Sequence, residues 1–162
     1  LNINTLSRLH AEHYQCTTPH VVISITDPKE SEVTFPQNPY RKDILRLKFY
    51  DLDKTKITQN SKIEASLRSQ FPDLDTYLFS PTHAQQILDF AMEYCLVQKI
   101  THFIIHCQAG ISRSAACGAA LSKIYNKSDD YFFNYYHPNR YIYQTILKTD
   151  QNMFNETMLC ID

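Results

Sequence analysis

Cys107 and Arg113 lie six residues apart in the segment Phe103-Ile-Ile-His-Cys107-Gln-Ala-Gly110-Ile-Ser-Arg113-Ser114. These residue types at that spacing fit nucleophilic attack on a phosphoryl group. The apolar run Phe103–His106 predicts a strand and Ile111–Tyr125 predicts a helix, so a tight loop must join them. In such a loop successive backbone N–H groups point inward. The helix adds its own unpaired N–H groups and the positive end of its dipole. The product is a cradle sized for a tetrahedral oxyanion. Cys107 lies at its base, where surroundings of this kind favour the thiolate, the form that attacks phosphorus. Arg113 lies on the opposite lip, and its planar fork binds two phosphate oxygens at once, a geometry lysine lacks. Ser114 brings a hydroxyl close to the sulfur, where it stabilises the thiolate as a leaving group. His106 is placed to fix loop carbonyls by hydrogen bonding. Gln108, Ala109, Gly110, Ile111 and Ser112 supply the phosphate-binding turn, together with Arg113. The whole chain contains only two glycines, Gly110 and Gly118, against an average usage of about 7%. One of them stands in the middle of this loop, where positive φ or close ligand approach requires it.

A cysteine and an arginine at this spacing recur by accident, and the ordinary alternative is a buried structural cysteine. The context argues otherwise: His before Cys, Gly at the third loop position, Ser after Arg, a strand before and a helix after. The stretch His106-Cys-Gln-Ala-Gly-Ile-Ser-Arg-Ser114 resembles the signature loop of the protein tyrosine phosphatases in its dual-specificity form. The likeness is specific from Ile104 to Ala116 and looser over 20–155. Phe49-Tyr-Asp51 resembles the strand leading into the family's general-acid loop, and Pro138-Asn139 resembles the Pro-Asn near its last helix. The resemblance implies a protein tyrosine phosphatase-like α/β fold and a two-step reaction through a phosphocysteine, with no cofactor and no metal. An aspartic acid would protonate the departing oxygen and then help to activate water. By position after the strand Asp51 fits that role best. Asp53 serves if the loop runs differently, and on spacing alone Asp75 competes. With Asp51 as the acid, residues 54–80 form an insertion that borders the mouth of the site.

The implied substrate is a phosphorylated protein or another phosphomonoester. Phosphotyrosine leads, with phosphoserine and phosphothreonine beside it. The loop residues Gln108, Ala109, Ile111 and Ser112 are uncharged, whereas phosphoinositide-directed relatives often carry lysines there. Two other classes compete. A module that binds phosphorylated ligands without turnover commonly lacks Cys or Arg, and both are present. A sulfurtransferase or arsenate reductase differs in loop length or in the place of the loop along the chain.

The elements that must position these residues follow from the apolar pattern. Val21–Ile25, Ile44–Phe49 and Phe103–His106 are short runs rich in Ile, Val and Phe, as strands covered on both faces are. Ser80-Pro81 opens a helix over Thr82–Gln98, with Ile87, Phe90, Ala91, Tyr94 and Val97 on one face. Ser61-Lys-Ile-Glu64 reads as a capping box for a helix carrying Ile63, Leu67 and Phe71. Arg140–Met153 is a further helix. Strands alternating with helices predict a mostly parallel central sheet flanked by helices. The 162 residues fit a single catalytic domain over 1–162.

Composition sets the remaining bounds. Hydrophobic residues make up 43% and charged residues 20%, and the net charge is −1. That balance gives no nucleic-acid signal and no membrane segment, and it leaves the oligomeric state open. The five cysteines at 16, 95, 107, 117 and 160 form no CxxC pair, which fits reduced thiols in a cytoplasmic compartment. Cys95 or Cys117 is a candidate resolving thiol for an oxidised Cys107. His10, His13 and Cys16 have metal-like spacing without a fourth ligand, and Leu6, Leu9 and His13 fit one helix face instead. Arg41, Lys42, Arg46 and Lys48 read as solvated charges, the first two placed to attract an anion. The aromatics crowded into 127–143 read as packing over the core.

Overall fold

The computed structural model describes residues 1–159, and Cys160 lies outside them. Four strands, β1 (Asn2–Ser7), β2 (His20–Thr26), β3 (Arg41–Lys48) and β4 (His102–Cys107), form one sheet in the order β1-β4-β2-β3. All three pairings are parallel. The helices are α1 (Arg8–His13), α2 (Lys54–Thr58), α3 (Ser61–Gln70), α4 (Leu74–Tyr77), α5 (Pro81–Met92), α6 (Arg113–Asn126), α7 (Asp130–Tyr135) and α8 (Arg140–Leu159). A parallel sheet must be covered on both faces, and this one is. One face carries Val21, Ile23, Ile25, Phe103 and Ile105, packed with Ala84, Ile87 and Leu88 of α5, Ala116, Ala120 and Leu121 of α6, and Ile142 and Ile146 of α8. The alternate residues Val22 and Ile104 face the other way, where Leu6, Tyr14, Cys16, Phe35 and Ile44 cover them.

The three expected strands are present, each slightly longer than its apolar run. The first strand was not expected. Asn2–Ser7 reads poorly as a strand because it is an edge, with most of its residues only half buried, so its alternation is weak. Leu6 therefore belongs to β1, and Leu9 of α1 is 66% exposed. The helix face expected for Leu6, Leu9 and His13 does not exist. Among the described residues no three His, Cys, Asp or Glu side chains gather as a metal cluster.

Other differences are local. The cap of α3 is Asn60, whose side chain accepts from Lys62 and Ile63 N–H, so Ser61 is the first helical residue rather than the cap. After α5 the chain passes through a π-helical turn, Glu93–Val97. That wider turn shifts the phase of the helix face and leaves Val97 64% exposed. Arg46 and Lys48 are tied to the loop after β2, through Glu32 and Val33 O and through Glu30 O respectively. Segment 54–80 contains three short helices, and its Ile57, Leu74 and Leu78 form a small apolar cluster with Tyr50. Among the described residues no helix is long and apolar enough to cross a membrane.

The aromatics around α7 seal α6. Phe132 is 3% exposed, and a Cβ at Gly118 would lie 2.5 Å from its ring. Phe132→Ala should lower the unfolding free energy by about 3–5 kcal/mol, read from urea titration. A loss under about 1 kcal/mol would show that the ring is not packed as described.

Candidate active site

In a parallel α/β sheet, ligands bind beyond the carboxyl ends of the strands. Here Ser7, Asp27, Phe49 and Cys107 stand at or just past those four ends. The loop after β4 is braced by β1. Ser7 is in register with Cys107, and Arg8 N–H donates to the Gln108 carbonyl at 3.1 Å. Gly110 has φ +80°, and a Cβ there would lie 2.6 Å from the backbone of Leu6 and Ser7. Both its conformation and its neighbours exclude a side chain.

Cys107 is 2% exposed, yet its sulfur is not left among apolar groups alone. The Gly110 N–H donates to Sγ at 3.2 Å, and Ser114 Oγ lies 3.2 Å from it. Ser112 caps α6 without placing a side-chain hydrogen bond on the first turn. Its hydroxyl donates instead to Asp51 Oδ1 at 2.8 Å. The amino end of the 14-residue α6 is thus left for an anion to complete. The helix begins at Arg113 rather than Ile111 because Ser112, at φ −117° and ψ −77°, still belongs to the turn. Gln108, Ala109 and Ile111 are exposed, and Ser112 is half-buried.

Arg113 is 3% exposed. Its Nη1 donates to Asp27 Oδ1 at 2.8 Å and to the Phe49 carbonyl at 2.9 Å. Its Nε is buried and makes no hydrogen bond among the described residues. The guanidinium is therefore fixed along one edge and keeps a donor for another ligand. Asp27 is the site residue that sequence reasoning passed over. It reads as the turn Asp27-Pro28, and nothing local marks it as the partner of a cation 86 residues away.

The three candidate acids have different partners, although Asp51 and Asp53 line the same cleft. Asp51 Oδ1 accepts from Ser112 Oγ and from Asn139 Nδ2, the latter at 2.9 Å, so its carboxyl abuts the loop. Asp53 caps α2, accepting from Thr55 and Lys56 N–H. Asp75 is paired with Arg68 at 2.7 Å and points into solvent; that pairing holds its carboxyl below the usual range. A cleft of about 510 Å³ opens beside Asp51 and Ser112, with Lys56, Tyr136, His137, Asn139 and Arg140 also in its walls. Residues 54–80 reach it through Lys56.

His106 does not bond a loop carbonyl through Nε2. That nitrogen pairs with Ser24 Oγ at 2.7 Å beneath the site. Burial pushes its pKa down to about 4, with Arg8 and Arg46 adding to the effect and a backbone contact at Cys107 opposing it. Cys117 is fully buried one turn into α6. Burial first, and then the Cys107 sulfur, push its thiol strongly up, with Arg113 opposing; it is held as an inert thiol. Cys95 belongs to the π turn and packs against the main core, as does Tyr125.

Comparison with known proteins adds the class of fold. It is the protein tyrosine phosphatase-like α/β fold, with a central parallel sheet flanked by helices. A crystal structure of PTPMT1 in complex with PI(5)P shares it, with a TM-score of 0.53, 14% sequence identity, and coverage of 96% of this chain and 94% of that one. A second crystal structure of PTPMT1 gives a TM-score of 0.50 at 17% identity, covering 97% and 94%. No family model matches the chain, and no curated protein matches its sequence.

Neutral, buried histidines make stability depend on pH. For His106 the folded value of about 4 lies below the ordinary imidazole value of 6.5, so acid protonates the unfolded chain first. His20, His83 and His102 are lowered in the same direction by burial. The His106 contribution is complete above about pH 6.5 and declines as the pH falls toward 4, by up to about 1.4 kcal/mol per pH unit, and the other three act in the same sense. Urea midpoints measured from pH 7.5 to 5 should fall; a constant midpoint would contradict neutral burial.

Proposed function

We propose that residues 1–162 form one catalytic domain of a cysteine-dependent phosphatase that hydrolyses a phosphomonoester. The observation that carries this reading is the setting of one sulfur. Cys107 Sγ receives the Gly110 N–H and contacts Ser114 Oγ, at the open amino end of the helix that carries Arg113. The Cys107 thiolate attacks phosphorus, forming an S–P bond as the ester P–O bond breaks. Asp51 gives its proton to the departing oxygen. The Asp51 carboxylate then takes a proton from water, whose oxygen attacks phosphorus. The S–P bond breaks, inorganic phosphate leaves, and the Ser114 hydroxyl stabilises the returning thiolate. Arg113 and the loop from Gln108 to Ser112 hold the phosphoryl oxygens, and His106 supports the loop from below. No step calls on a cofactor.

Protein phosphotyrosine is the first substrate class, with phosphoserine and phosphothreonine beside it. A non-protein phosphoester fits no worse, and one observation favours it: a structure with this fold holds PI(5)P, and the cleft next to Asp51 carries Lys56 and Arg140 in its walls. The unpaired cysteines at 16, 95, 107 and 117 fit a cytoplasmic location.

Three measurements test the roles. Cys107→Ser should abolish turnover of phenyl phosphate while inorganic phosphate still binds; turnover that survives would remove the nucleophile from this reading. Asp51→Asn should slow phenyl phosphate by about 10²-fold or more and nitrophenyl phosphate, a better leaving group, far less. An equal effect on both would move the acid elsewhere. Asp27→Ala should weaken competitive inhibition by phosphate about ten- to hundredfold, as expected for loss of a charged hydrogen bond of about 1.5–3 kcal/mol. An unchanged constant would mean that the Phe49 carbonyl holds Arg113 alone. Phosphotyrosine peptides assayed beside phosphoinositides and 5′-phosphorylated RNA would rank the substrate classes.

A further inference from the structure

Asn139 follows a proline and precedes the last helix, and the reaction scheme leaves it without a role. Its contacts are unusually concentrated. Its Nδ2 donates to Asp51 Oδ1 at 2.9 Å and to the Leu52 carbonyl at 3.4 Å. Its Oδ1 accepts from Ile142 N–H at 3.2 Å. Its own backbone N–H donates to the Ser112 carbonyl at 3.3 Å, next to a second tie from His137 N–H to the Ile111 carbonyl at 3.0 Å. One residue thus touches the acid loop, the phosphate loop and the start of α8.

The two ends of its amide do separate things. The oxygen caps a helix, which any Asn, Asp, Ser or Thr can do. The nitrogen reaches 88 residues back along the sequence to a single carboxyl oxygen. Ser112 Oγ donates to that same oxygen. With both donors on Oδ1, the proton that Asp51 carries is confined to Oδ2. A carboxylic acid whose two oxygens were equivalent would spend part of its time with the proton facing the wrong way. We propose that Asn139 is a positioning residue for proton transfer, whose amide nitrogen holds Asp51 Oδ1 and leaves Oδ2 to deliver the proton to the leaving group.

This rests on Asp51 being the general acid, and the experiment separates the two ideas. Asn139→Ser keeps a cap oxygen at the start of α8 and removes the amide donor. Asn139→Ala removes both. Kinetics on phenyl phosphate and nitrophenyl phosphate would be read beside thermal midpoints for wild type, both variants and Asp51→Asn. For Asn139→Ser we expect kcat on phenyl phosphate to drop about tenfold, a part of the 10²–10⁴-fold that acid catalysis supplies. Nitrophenyl phosphate, which needs little protonation, should change less than about threefold, and the thermal midpoint should stay near that of wild type. The limb of the kcat–pH profile that reports the acid should shift in Asn139→Ser. Asn139→Ala should reproduce the kinetic pattern with a lower midpoint.

Wild-type kinetics in Asn139→Ser, beside a selective loss in Asp51→Asn, would overturn the role of Asn139 and leave the acid in place. Equal losses on both substrates would also overturn it, since they would mean that Asn139 acts on the phosphate loop through Ser112. A non-selective Asp51→Asn would remove the acid itself and the proposal with it, a result visible without either Asn139 variant.

Discussion

A guanidinium that is nearly out of water must be met by fixed acceptors, because an unpaired buried charge costs several kcal/mol. Arg113 imposes that constraint on the molecule. Its acceptors come from two places far apart in sequence, the Asp27 carboxylate just past β2 and the Phe49 carbonyl just past β3. The cation itself opens α6, directly after β4. Three segments are thereby tied at one point: the turns after β2 and β3 and the start of α6, which follows the sulfur-bearing end of β4. The pair is only partly sealed, since the Asp27 side chain is 32% exposed. Its value lies in direction: with Nη1 occupied, the rest of the fork cannot swing away.

The chemistry of the phosphate loop was legible because it is local. Sulfur, glycine, serine and arginine fall within eight residues, and their spacing specifies a turn between a strand and a helix. The central strands were legible for a related reason, since a sheet covered on both faces writes unbroken Ile and Val runs. Asp51 was singled out by its place after Phe49, and in the fold its carboxyl accepts from Ser112 and Asn139. What the sequence could not reveal is non-local. Asp27 looks like any turn aspartate, and Asn139 like any helix cap, until the fold brings each against a partner from elsewhere.

Two features escaped for different reasons. The edge strand β1 has one paired side and mixed burial, so no periodicity announces it. Yet its end forms the wall against which Gly110 packs, and without it the loop would have no brace. The π turn after α5 broke the periodicity assumed for Val97, because a single wider turn rotates everything after it. For β1 the missing information was a tertiary neighbour; for the π turn it was a local change of helical phase.

The small cluster of Tyr50, Ile57, Leu74 and Leu78 stands apart from the main core. Tyr50 N–H donates to the Tyr77 carbonyl, and its hydroxyl to Asp73. Residues 54–78 are thus held largely through this cluster and Tyr50, while Phe79 returns the chain to the main core. The sequence of this segment can drift, lengthen or shorten while the sulfur and its cradle keep their geometry. Apart from Lys56, which lines the cleft beside Asp51, these helices are the part of the molecule most free to evolve.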